Sequence, residues 1–194
     1  QVKNGGDSKA GITAEEIAEI TKKCTNATSL DIVSMSLSGD FTTSAHGNLN
    51  TIVCQSPAST SKYNMIFFAP NGNLNQNFSS YVQDFGNDAK RTTLKSATIN
   101  MKIIGGMTQS DITSLKDNFT SFYLDALNAT GDVNNIIYKD LGAYITGLTF
   151  PATMTQIPDE CCNGCSEMVS ARLPIGITSI GKNAFRDCKK VTSV

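Results

Sequence analysis

The sequence predicts an α/β repeat fold: a short leucine-rich-repeat solenoid, two capped helix-strand units, and an irregular strand-and-loop region between those units. Two internal duplications predict it. ITGLTFPATMTQIPDECCNGCSE, starting at Ile145, is restated as MVSARLPIGITSIGKNAFRDCKK, starting at Met168. Ile145 to Met168, Pro151 to Pro174, Ile157 to Ile180, Cys165 to Cys188 and Met168 to Val191 are each 23 positions apart. A fixed period of about 20 to 29 residues with an L-x-x-L-x-L core marks stacked leucine-rich coils, each too small to close its own core. The second duplication is longer: GITAEEIAEITKKC from Gly11 parallels GMTQSDITSLKDNF from Gly106. Further on, Leu30-Asp31 parallels Leu124-Asp125, and Ser38-Gly39-Asp40 parallels Thr130-Gly131-Asp132.

Residues 1–10 read as a flexible, polar start. A helix follows, with Thr13 as N-cap, Glu16 closing a capping box, and Ile12 and Ile17 placed to staple across it. Between the duplicated units, Thr51-Ile52-Val53-Cys54 and Met65-Ile66-Phe67-Phe68 read as strands separated by Ser/Pro/Thr-rich SPASTSK. Asn71-Gly72 is a turn signal, and the polar stretch beyond it reads as loop or as a short helix around Tyr81. Then Ala97, Ile99, Met101 and Ile103 alternate with Thr98, Asn100 and Lys102, the two-residue period of a half-buried strand that Gly105-Gly106 would end. The second helix is capped by Thr108 and Asp111, with Met107 and Ile112 as its staple.

Phe119, Phe122 and Leu124 repeat the spacing of Ile145, Leu148, Phe150 and of Met168, Ala171, Leu173, which moves the expected start of the solenoid to near residue 97. Pro151 and Pro174 end their strands. Met154, Ile157, Ile177 and Ile180 form the return leg, and Ala184, Phe185 and Cys188 the back wall. Cys162 stands where the next copy has Phe185, so a gap or a local repacking is expected there. The expected layout is residues 1–10, an N-terminal helix-strand unit with its β/loop insertion over 11–96, and the repeats over 97–194.

Composition narrows the function. A chain of 194 residues, 40% hydrophobic, can bury a real core, while a net charge of −1 with 16 scattered Lys and Arg argues against a nucleic-acid partner. No apolar run approaches the roughly 20 residues of a membrane span. The polar start fits what remains once an export signal is removed, and fits an internal boundary of a longer chain equally; the pattern restarts at Val191 with no polar capping repeat, so an uncapped end would be expected to favour pairing with another chain.

Cys161-Cys162-Asn163-Gly164-Cys165 contains a C-x-x-C, which could hold zinc or run thiol chemistry. The repeat instead aligns Cys165 with Cys188 and Cys162 with Phe185, which reads as core thiols; a disulfide among 161, 162, 165 and 188, or a metal, is the alternative. His46, the only histidine, reads as a solvated loop residue. No nucleophile elbow and no phosphate-binding glycine loop is present, so no catalytic residue, cofactor or metal ligand is expected. Thr149 and Arg172, as outward-facing strand positions, are the candidate partner-binding residues.

ARLPIGITSIGKNAFRDCKKVTSV resembles the BspA-like leucine-rich repeats of bacterial and protist surface proteins, whose pattern runs L-x-x-I-x-I-P, V-x-x-I-G, A-F, C and L. Leu173, Pro174, Ile177, Ile180, Gly181, Ala184, Phe185, Cys188 and Val191 match it. The preceding copy departs at Pro158, Cys161 and Cys162. SATINMKIIGGMTQSDITSLKDNFTSFYLDA is similar to the segment that precedes such repeats in exported proteins. The resemblance, over about residues 97–194, implies an exported or surface-anchored, non-enzymatic protein that binds a macromolecule, either a host or microbial surface protein or a glycan. Alternatives are an assembly module that self-associates through its repeat end, or a hydrolase domain within residues 41–93, for which no converging acids are found.

Overall fold

A computed structural model describes residues 11–32, 36–41, 46–55, 61–69 and 96–194. Its elements are β1 (Gly11–Thr13), α1 (Ala14–Lys23), β2 (Ser29–Ile32), β3 (Ser36–Ser38), β4 (Thr51–Gln55), β5 (Lys62–Ala69), β6 (Thr98–Gly106), α2 (Gln109–Asn118), β7 (Phe122–Thr130), β8 (Ile145–Thr149), β9 (Gln156–Ile157), β10 (Ser170–Arg172) and β11 (Ser179–Ile180). Both helices begin as the sequence predicts. Thr13 accepts from the Glu16 amide while Glu16 accepts from the Thr13 amide, and Thr108 and Asp111 make the same exchange. The staple residues Ile12, Ile17, Met107 and Ile112 are all buried. The Asn71-Gly72 turn, the loop or helix around Tyr81, and the flexible start lie outside the described residues.

Seven strands form one mixed sheet in the order β10-β8-β7-β6-β5-β4-β2. From β5 to β10 every pairing is parallel, and so is β2 with β4; only β4 and β5 run antiparallel. From β6 onward the sequence period recurs as the pairing register, lengthened to 24 beyond a bulge in each of the β6–β7 and β7–β8 pairings. Ile99 lies beside Phe122, Phe122 beside Ile145, Gly147 beside Ser170, and Ser170 bridges to Ser193, each pair 23 residues apart. On the return leg β9 and β11 pair in parallel, Gln156 beside Ser179, at the same offset. The strands of the supposedly irregular stretch, β4 and β5, are interior members of this sheet. Leu30 pairs with Ile52, an offset of 22, so β2 and β4 follow nearly the same period. Gly105 and Gly106 are the last two residues of β6, still within the ladder, where they pair with Ala129 and Thr130.

Each duplicated helix covers a different face. On one, Met65, Ile99, Met101, Phe122, Leu124 and Leu148 pack with Ile112 and Leu115 of α2 and with the repeat interior. On the other, Ile32, Ile52, Cys54, Ile66 and Phe68 pack with Ile17 of α1 and with Phe41 and Leu49. The antiparallel β4–β5 pairing lies between the two units, and β1, which precedes α1, pairs with β3 in a separate two-stranded sheet. The turn after each unit is equivalent as well: Gly39 and Gly131 have φ of +98° and +101°, left-handed backbone that favours glycine, and pack close against Ala14 and Met107.

The copy whose sequence departs from the repeat pattern keeps the backbone. Glu160 and Asn183, 23 residues apart, both adopt the left-handed conformation at φ 55° and 57°, as do Gly164 and Asp187 at 80° and 58°. Amides of Glu160, Cys162 and Gly164 donate to the carbonyls of Lys182, Ala184 and Arg186 at 2.7–2.9 Å, bonding one copy to the next along its return leg. Where Cys162 replaces an aromatic, the local repacking is supplied by Tyr138: its ring meets Phe150 edge-on at 5.6 Å, and Phe150 meets Phe185 at 6.2 Å. Tyr138 is fully buried, and its hydroxyl has no partner among the described residues. Burial, with Cys161 and Cys162 beside it, pushes the phenol well above its usual range. Tyr138→Phe removes that orphaned hydroxyl without changing the ring, so chemical denaturation is expected to show a gain of about 1–3 kcal/mol; a loss would mean the hydroxyl is satisfied.

Candidate functional site

Beyond the part of the sheet that α1 covers, the face turned away from α2 is polar. Alternation and register align its side chains in rows across the strands. One row runs Asn64, Asn100, Tyr123, Gly147 and Ser170; the next runs Ile66, Lys102, Asp125, Thr149 and Arg172. Asn100 donates to the Asn64 side-chain carbonyl at 3.2 Å, and the Lys102 ammonium lies 3.6 Å from Asp125. Such a partly exposed pair contributes little stability.

The structure corrects one of the two sequence-derived candidates. Thr149 is only 6% exposed, because Tyr123 of the neighbouring strand leans over it and their hydroxyls meet at 2.5 Å. Gly147 makes that possible: a Cβ there would lie 2.6 Å from Cδ2 and 2.8 Å from Cε2 of Tyr123. Arg172 is exposed at the end of the same row. Tyr123, Lys102, Asp125 and the two asparagines were not identified from sequence. Their alternation within β6 and β7 was visible there, but which strand lies beside which was not.

Where the rows reach the α1 side they become the floor of a groove of about 500 Å³. Asn64, Asn100, Lys102, Tyr123 and Asp125 line the floor, and Leu37 and Phe41 belong to the wall. A depression of this size, part apolar and part hydrogen-bonding, falls within the range of small-ligand sites.

Four of the six cysteines, Cys161, Cys162, Cys165 and Cys188, lie elsewhere, within the repeat, while Cys24 caps the end of α1 and Cys54 is in β4. All six are unlinked; Cys54, Cys161, Cys162 and Cys165 are buried, Cys188 is half-buried and Cys24 is exposed. The C-x-x-C residues do meet: Cys162 hydrogen-bonds Cys165, which pushes the Cys165 thiol down, while contacts with Cys161 and Cys165, together with burial, push Cys162 well up. Among the described residues no group of three or more His, Cys, Asp or Glu could hold a metal ion. Burial, then the charge of Cys165, raises Cys188 to about 11. A raised value keeps the thiol protonated below it. Iodoacetamide at pH 8 is therefore expected to label Cys24 in the native protein and to spare Cys188, whose labelling should climb only as pH nears 11. Equal labelling of both at pH 8, read by peptide mass spectrometry, would contradict this. His46 stacks on Phe68, ring centroids 4.0 Å apart.

Residues 132–194 match the BspA type leucine rich repeat region. No curated protein and no solved structure matches the chain. No helix among the described residues is long and apolar enough to cross a membrane.

Proposed function

We propose, from the leucine-rich-repeat match of residues 132–194 and the polar strand face beside it, that this chain is a non-enzymatic recognition module. It acts outside the cell or on its surface, in adhesion to a host or microbial protein or glycan. Residues 97–194 form its repeat solenoid, and residues 11–96 the unit that precedes it. The observation that carries the reading is the run of aligned, largely polar rows from Asn64 to Arg172 on the face of the sheet opposite α2. Extended faces of stacked repeats suit macromolecular ligands, because neighbouring repeats present side chains at regular intervals on a rigid support. Of the two sequence candidates, Arg172 carries over as a contact residue, and Thr149 acts by holding Tyr123 in place.

Surface plasmon resonance of the purified chain over immobilised extracellular-matrix proteins and mucin, together with pull-down on whole microbial cells, tests this. Saturable binding that weakens when Arg172 is changed to alanine is expected. Turnover of generic ester, peptide or glycoside substrates, with no binding in either format, would sink the reading.

A further inference from the structure

We infer that the groove between β3 and the floor of β5, β6 and β7 is a carbohydrate subsite for an uncharged sugar, with Tyr123 as its aromatic contact. The inference rests on the recognition reading above and names the chemistry of its ligand. Three features carry it.

First, the floor is built rather than incidental. Tyr123 is held at two points, with the Cδ2–Cε2 side of its ring over Gly147 and its hydroxyl on Thr149, while the rest of it lines the groove. A pinned aromatic side chain offers apolar surface with little further loss of rotamer freedom on binding.

Second, the polar groups are of both kinds and lie one strand apart. The two asparagine amides can donate and accept, Lys102 only donates and Asp125 only accepts. Adjacent strands set the two pairs side by side, the asparagines meeting at 3.2 Å and Lys102 with Asp125 at 3.6 Å, so the floor offers neighbouring donors and acceptors to the hydroxyls of a sugar ring. The backbone of β5, β6 and β7 is committed to the sheet on both sides. An extended peptide would therefore find no free strand edge on the floor to pair with, leaving side chains to make every contact.

Third, the charges cancel. Lys102 and Asp125 are 3.6 Å apart, so the floor carries no net charge from its ionised residues. An anionic ligand would have to draw Lys102 away from its carboxylate, whereas a neutral polyol can bridge the pair. Leu37 and Phe41 supply apolar wall for the C–H surface of the ring.

Saturation-transfer NMR and calorimetry with lactose, cellobiose, maltotriose and N,N′-diacetylchitobiose, beside sialyllactose as the anionic arm, test the assignment. The same protein is passed over matrix glycoprotein before and after enzymatic deglycosylation. At least one neutral sugar is expected to bind, sialyllactose no better than lactose. Asp125→Ala and Asn100→Ala should each weaken the neutral sugar about ten-fold, the size of one strong hydrogen bond. Tyr123→Phe, which keeps the ring, should retain more affinity than Tyr123→Ala, and Lys189→Ala should match the parent. Thermal unfolding of each variant separates loss of binding from loss of fold. The inference is overturned by silence toward all neutral sugars from the folded parent, by preference for the anionic sugar, or by binding that the groove variants leave intact. If deglycosylated matrix protein still binds while the sugars do not, the carbohydrate assignment fails and the recognition reading stands; if nothing binds, both fail.

Discussion

Phe150→Ala is expected to cost about 3–5 kcal/mol of unfolding free energy, the loss typical of a fully buried aromatic. Phe150 follows β8 and is completely buried, its amide bonded to the Arg172 carbonyl at 3.0 Å. Its ring lies edge-on between Tyr138 and Phe185, with interplanar angles of 88° and 82°. Three successive segments of the chain thus meet on one side chain. Neighbouring repeats share one core, so a cavity here removes contacts from both interfaces at once and leaves few atoms free to collapse into it. The midpoint of guanidinium denaturation, with the slope unchanged, measures the loss. A change under about 1 kcal/mol would show that the site relaxes and that the three-ring contact does not carry the stack.

Gly181→Ala is expected to be the most damaging small change, costing about 1–3 kcal/mol or more through overpacking. A Cβ at Gly181 would lie 2.5 Å from the Pro158 carbonyl carbon, and closer still to the Asp159 amide nitrogen. Both obstacles are backbone of the preceding copy, held by the Gly181 amide on Ile157 at 2.8 Å and by the Lys182 amide on the Asp159 carboxylate at 2.6 Å. Neither can step aside without opening the β9–β11 ladder. Gly176, in the same copy, is the internal control. An added Cβ there meets nothing nearer than the Met154 carbonyl oxygen at 3.9 Å, so Gly176→Ala should be neutral or stabilising by about 0.4–1 kcal/mol through the unfolded state. Equal effects at the two glycines would mean the copies are not packed backbone to backbone.

Gly181 also marks how far sequence reasoning reaches. Its place in the repeat pattern was legible. The reason for a glycine there is close approach: Pro158, the aligned residue 23 positions earlier, brings its own backbone against the site. The same holds for Thr149. Strand alternation put it on the outer row, correctly, but burial there depends on Tyr123 of the adjacent strand and on the missing side chain at Gly147. The capping boxes, by contrast, could be read in full, because all their partners lie within a single turn of helix.

The sequence by itself determined what depends on local spacing. It set the two capped helices, the alternating strand of Ile99 to Ile103, and a period of 23 that reappears as the register between successive parallel strands. A repeat states its own neighbours, since the residue one period away is the residue alongside. Tertiary structure decided what depends on the pairings outside that rule, the antiparallel β4–β5 contact and the parallel β5–β6 contact, whose partners Lys62 and Thr98 are 36 residues apart. The antiparallel contact of β4 with β5 joins the duplicated units and reverses strand direction, and the two helices pack on opposite faces of the sheet. Where the polar rows of β5 to β7 meet β3, the described residues form the groove. No local pattern encodes which edge an inserted strand will join, because that choice is made by burial of the whole sheet.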